Sequence, residues 1–111
     1  MTYAADAGRA LTAADYGATL TVNNGASAAV FTLPPVTAAD IGATITMIKF
    51  GAGVVTIQAA SGNYIADSTV SGSIYNNATS PAYATVTIRL VLVGGVYRWM
   101  LVSGEGTWIA Q

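Results

Sequence analysis

With 111 residues, four basic and five acidic side chains, no histidine and no cysteine, the chain reads as one small, nearly neutral domain. Its charged fraction of 8% lies far below the roughly 25% usual for soluble proteins, and the charges stand singly. That excludes a patch able to neutralise several phosphates, and no apolar run is long enough to span a bilayer.

The charges are Arg9, Lys49, Arg89 and Arg98 against Asp6, Asp15, Asp40, Asp67 and Glu105. A free monomer so poor in charge has little colloidal stability. Much of the surface is therefore expected to be covered, by copies of the chain or by a larger assembly. No basic leader followed by an apolar run opens the sequence, so no secretory peptide is expected. The missing cysteines leave the redox compartment unread.

The predicted elements begin with a repeat. Leu11-Thr12-Ala13-Ala14-Asp15-Tyr16-Gly17-Ala18-Thr19-Leu20-Thr21-Val22 recurs 25 residues later as residues 36–47, with eight of twelve positions identical. The other four exchange one apolar residue for another. In each copy, Thr12 or Thr37 is placed to cap a single helical turn, and Asp15 or Asp40, three residues on, can reach back to the cap. Gly17 and Gly42 then release the chain from helical geometry. Period-2 alternation follows in residues 18–23, with Leu20 and Val22 on one face. It follows again in residues 43–49, with Ile45 and Met47 on one face.

Asn24-Gly25 marks a turn into a short strand, Ala29–Leu33, with Phe31 and Leu33 on one face. Pro34-Pro35 ends it. Gly51-Ala52-Gly53 reads as a hairpin turn into Val54–Gln58, since it lacks the lysine and helix of a phosphate loop. Residues 59–81 are rich in Ser, Gly, Asn and Thr, and read as loops with short strands at Tyr64-Ile65 and Ser73–Tyr75. Asn77-Ala78-Thr79 matches a glycosylation sequon, read as coincidence without a leader peptide.

A long strand runs from Tyr83 to Val93. Gly94-Gly95 supplies a two-residue loop, and Val96–Val102 returns. This loop pairs Val93 with Val96, Leu92 with Tyr97, Leu90 with Trp99 and Ile88 with Leu101. One face is then apolar on both strands, which holds the register. The other face sets Val91 opposite Arg98 and Arg89 opposite Met100. With Val93 and Val96 it is half apolar, so Val91, Val93, Val96, Met100, Arg89 and Arg98 are the candidate subunit-interface residues. Trp108 belongs to a last short strand. The expected fold is all-β: a compact antiparallel sandwich or barrel over residues 1–111, with two single-turn helices at the repeat.

Catalytic chemistry has few carriers. Without histidine the commonest general base and pH switch are missing, and without cysteine a transition-metal site has only oxygen ligands. Asp15 and Asp40 are explained as turn caps, and no two carboxylates are placed as a glycosidase pair. Tyr64 and Tyr75 lie in the polar stretch, where they either stack on a sugar or pack over the core. The residues point to no enzyme, cofactor or metal.

The order of these features resembles small β modules of tailed bacteriophages. It runs from the capped turns and strands through Phe31-Thr32-Leu33-Pro34, the Gly-Ala-Gly turn, Val55-Thr56-Ile57-Gln58 and Tyr64-Ile65-Ala66-Asp67. It ends on Tyr97-Arg98-Trp99 and Gly104-Glu105-Gly106-Thr107-Trp108. Such modules serve as capsid decoration (cement) proteins, head fibres, and tip domains of tail fibres and tailspikes. The resemblance implies a non-enzymatic homotrimer on the outer capsid surface of the virion, with the major capsid protein as partner. No fibrous stem is present, which favours decoration over a fibre. The alternative is a receptor- or carbohydrate-binding tip domain of a tail fibre or tailspike. Neither nucleic acid nor membrane is an expected partner.

Overall fold

The computed structural model describes residues 1–77 and 84–111. Both copies of the repeat take one backbone conformation. Thr12 and Thr37, the N-caps, sit at φ/ψ of −130/174° and −129/176°. Each is followed by one turn of 3-10 helix, Ala13–Asp15 or Ala38–Asp40. The capping acids do the same work twice: the Thr12 and Thr37 amides donate to Asp15 and Asp40, both at 2.8 Å. Gly17 and Gly42 leave the turns at φ of 80° and 92°, a left-handed backbone that glycine adopts without strain.

The strands are β1 (Thr2–Ala4), β2 (Thr19–Val22), β3 (Ala29–Thr32), β4 (Thr44–Lys49), β5 (Val55–Gln58), β6 (Tyr64–Ile65), β7 (Ser73–Asn76), β8 (Thr85–Val93), β9 (Val96–Glu105) and β10 (Ile109–Ala110). They form a six-stranded sheet in the order β1-β2-β4-β8-β9-β6 and a four-stranded sheet in the order β10-β7-β5-β3. The all-β class and the two single turns hold. The antiparallel pairing does not hold throughout: among the described residues, β1–β2, β2–β4, β3–β5 and β6–β9 are parallel ladders.

The reason lies at the corners. Asn24-Gly25 and Gly51-Ala52-Gly53 are not hairpin loops, because each carries the chain from one sheet to the other. β2 and β4 lie side by side in the large sheet, and β3 and β5 in the small one. A parallel pair needs a long crossover, usually a helix. Here the opposite sheet's strand serves as the crossover. The chain thus winds in stacked rungs, with β1 and Ala10, which bridges to Thr32, forming a first partial rung. The corners stack too. The Ala52 and Gly53 amides donate to the Gly25 carbonyl at 2.6 and 2.7 Å. A Cβ at Gly53 would collide with the Ser27 carbonyl, so close stacking requires glycine there.

Stacking staggers the rungs. Thr19 lies beside Thr46, although its repeat counterpart is Thr44. A shift of two residues preserves the side-chain parity, so the apolar face stays inside. From the large sheet come Leu20, Val22, Ile45, Met47, Val86, Ile88, Leu90 and Trp99; from the small sheet come Phe31, Val55, Ile57 and Ile74. All are buried in one cluster. Each such side chain contributes about 1.5–3 kcal/mol through burial.

The last hairpin keeps the expected register from Val93–Val96 through Ile88–Leu101. Gly94 and Gly95 turn it at φ of 60° and 80°. Its tip outruns the core, so Leu92, on the apolar face, is 45% exposed. Past Leu101 one residue is extra, since Thr87 pairs with Ser103; Val102 is a bulge. Trp108 stands just before β10 rather than within it. Tyr83, the expected start of β8, and Ala78 and Thr79 of the sequon lie outside the described residues.

Candidate functional site

The outer face of the large sheet is built by the outward positions of five strands. Thr2, Thr19, Thr46, Thr87 and Ser103 lie in one continuous register row. β-branched threonine suits a half-buried pleated surface. The row is partly self-satisfied, since the Thr46 and Thr87 hydroxyls lie 2.9 Å apart and the Thr21 hydroxyl donates to the Tyr3 carbonyl. The result is a neutral, hydroxyl-bearing surface.

At the hairpin end this face changes character. Val91 pairs with Arg98, Arg89 with Met100, and Val93 with Val96, so the six candidate interface residues come together as three cross-strand pairs. Val93 and Met100 are exposed, Val91 and Val96 half-buried. The two arginines differ. Arg89 is exposed, beside Thr44. Arg98 is pinned: its guanidinium stacks 4.5 Å from the centre of the Tyr64 ring and donates to the Ala66 carbonyl. Tyr64 is thereby engaged within the chain, which weakens its reading as a sugar platform. Tyr75, on β7, is half-buried.

The carboxylates are mostly engaged in holding the backbone. Asp6 accepts from the Asn23 amide at 3.0 Å, and Asp40 caps its turn. Asp15 caps its own turn and also grips Arg9 in a two-pronged pair at 2.8 and 3.0 Å. Among the described residues, no group of three His, Cys, Asp or Glu side chains is placed to hold a metal.

The Arg9 hydrogen bonds hold the Asp15 carboxyl below the usual carboxylate range, against the opposing effect of burial. A depressed folded value means that the unfolded chain binds more protons. The pair's stabilisation is therefore complete above the ordinary Asp value of about 3.9 and is lost as pH falls through the lower folded value. Arg9 is 42% exposed, so solvent screens much of the attraction. Asp15→Asn should cost about 1–2 kcal/mol at neutral pH, and flatten the acid limb of stability in urea melts between about pH 2 and 5.

Two features escaped the sequence reading. The first is Lys49. Alternation through Ile45 and Met47 aims it inward, and it is fully buried between the sheets. Its amine donates to Asn76 Oδ1 at 3.0 Å and to the Asn76 carbonyl at 3.3 Å. Asn76, also fully buried, donates in turn to the Thr107 carbonyl at 3.0 Å. Burial pushes the Lys49 amine below its ordinary range. The period-2 parity was the signal that could have found it. The second is an open groove of about 490 Å³ lined by Leu101, Val102, Ser103, Gly104, Gly106, Thr107 and Trp108. Trp108 is tied down by its indole N–H, which donates to the Thr85 carbonyl at 2.9 Å. No sequence signal announced this groove, which is closed by the turn that carries Gly106, Thr107 and Trp108 back against residues 101–104.

The surface so assembled can bury neutral area against another surface. No known protein family matches this chain by sequence, and neither does any curated protein.

Proposed function

We propose that this chain is a non-enzymatic structural module of a tailed-phage virion. In this reading it decorates or cements the outer capsid surface as an oligomer, a trimer by the resemblance, with the major capsid protein as partner. The observation that carries the reading is the outer face of the large sheet: a hydroxyl row continued by Val91, Val93, Val96 and Met100, with little charge. Such a surface associates by burying area rather than by pairing charges. A contact of standard size buries about 1,200–2,000 Å². Binding the assembled shell and not the loosened one stabilises the shell by mass action.

The test is to heat capsids with and without the protein over a range of ionic strengths. Capsids lacking it should open at lower temperature, and the difference should survive moderate salt because few charges are there to be screened. If removal leaves capsid melting unchanged and abolishes adsorption to cells, the receptor-binding tip reading replaces this one.

A further inference from the structure

β9 is covered unevenly. β8 pairs along its whole length, but β6 meets its other side only at Arg98 and Trp99. The Ala66 amide closes that contact on the Trp99 carbonyl. From Met100 to Glu105 no described strand pairs with the outer side of β9, and every one of these residues is exposed. The stretch contains no lysine or proline, the usual protections of an edge, and its one such device is the Val102 bulge.

The ladder decides which backbone groups face outward. Leu90 exchanges hydrogen bonds with the β4 side, donating to the Ala43 carbonyl and accepting from the Gly42 amide. Ala84, six residues earlier, likewise accepts from Lys49 on that side. The even-numbered residues of β8 therefore turn to β4, and their partners on β9 turn away from β8. Those partners are Trp99, opposite Leu90; Leu101, opposite Ile88; and Gly104, opposite Val86. The outward groups of Trp99 serve β6. Those of Leu101 and Gly104 are presented at the open edge.

From this we infer that the Met100–Glu105 edge of β9 is a two-fold pairing site for the same edge of a second copy of the chain. An antiparallel pair centred between Val102 and Ser103 sets Leu101 opposite Gly104 of the second copy, and Gly104 opposite Leu101. Both sets of outward-facing groups then meet, as an isologous interface requires. The side chains fit the same register, with leucine facing glycine, valine facing serine, and methionine facing glutamate. The two Glu105 carboxylates fall at opposite ends, about 17 Å apart, beyond the roughly 8 Å screening length of physiological salt. β6 forbids a pairing that slides toward Arg98, so this register uses the open residues of both copies.

Six residues a side make less than a standard interface, so the contact is weak and is read at high concentration. It is separate from the outer-face contact of the proposed function. If the outer face forms trimers, the edge joins them in pairs.

Sedimentation velocity from micromolar to millimolar protein should show the native mass doubling with concentration. Leu101→Pro removes an outward N–H while leaving the β8 ladder its bonds, a position where an edge strand tolerates proline. It should hold the mass at half the wild-type limit, with an unchanged far-UV spectrum. Val102→Lys puts a charge into the pairing register without touching the backbone, and should do the same; it is decisive should the proline variant not fold. Val91→Lys, on the outer face and away from the edge, should still double. A wild-type mass that does not double, or doubling that persists in a folded edge variant, overturns the inference. Neither result bears on capsid melting, so the two readings fail independently.

Discussion

Trp99→Ala is expected to be among the most damaging single substitutions in the chain, costing about 3–5 kcal/mol. Trp99 is wholly buried at the point where β8, β9 and β6 meet. It faces Leu90 across the ladder, and Tyr16, leaving the first helical turn, tilts against its ring at 6.0 Å between centroids. Truncation therefore opens a cavity shared by the hairpin and the repeat, which no single neighbour can fill. The net stability of a domain this size is about 5–15 kcal/mol, so the loss is a large share of it, and thermal unfolding should shift down by roughly 15 °C or more. The indole N–H has no hydrogen-bond partner among the described residues. Trp99→Phe consequently loses ring volume but no bond, and should cost well under half as much in the same calorimetric scan. Equal losses in the two variants would mean that the N–H, not the packed ring, carries the site.

The second large effect is expected at the polar contact inside the core. Asn76→Ala should cost about 3 kcal/mol, because it removes an acceptor from a buried amine and a donor from the Thr107 carbonyl in one step. The sign of the accompanying pH effect follows from Lys49. Its folded value lies below the ordinary one, so between the two values the unfolded chain binds more protons. Stability therefore rises as pH increases through that window and levels off above about 10.4. Asn76→Ala withdraws support from the charged form and should steepen the alkaline rise. Lys49→Met abolishes it. That variant loses the hydrogen bonds to Asn76 but also the cost of burying an amine, and should fall within about 2 kcal/mol of wild type. Urea titrations of the three proteins from pH 7 to 11 decide the matter. An alkaline slope that survives in Lys49→Met would assign it to another group.

Much of the local structure was legible in the residues. Thr12, Asp15 and Gly17, repeated as Thr37, Asp40 and Gly42, specify a capped turn and its exit because capping and left-handed backbone are local chemistry. The same holds for the Gly94-Gly95 loop, which selects one register from Val93–Val96 down to Ile88–Leu101. The candidate face followed from that register, so Val91, Arg89, Arg98 and Met100 arrive together as expected. Alternation alone aims a side chain in or out, which is why Ile45, Met47 and Trp99 are inside.

Alternation does not say which strand lies alongside. Asn24-Gly25 and Gly51-Ala52-Gly53 have the composition of hairpin turns, yet they are corners between sheets, since a glycine turn is compatible with either route. Only the packing of β2 on β4 and β3 on β5 selects the parallel rungs. Lys49 had the parity of a core residue; what makes its burial tolerable is Asn76, 27 positions away and in the opposite sheet. The open edge of β9 is likewise a tertiary outcome. Its residues look like any strand, and they become a site because β6 stops after Ile65 and leaves the backbone groups of Leu101 and Gly104 facing outward.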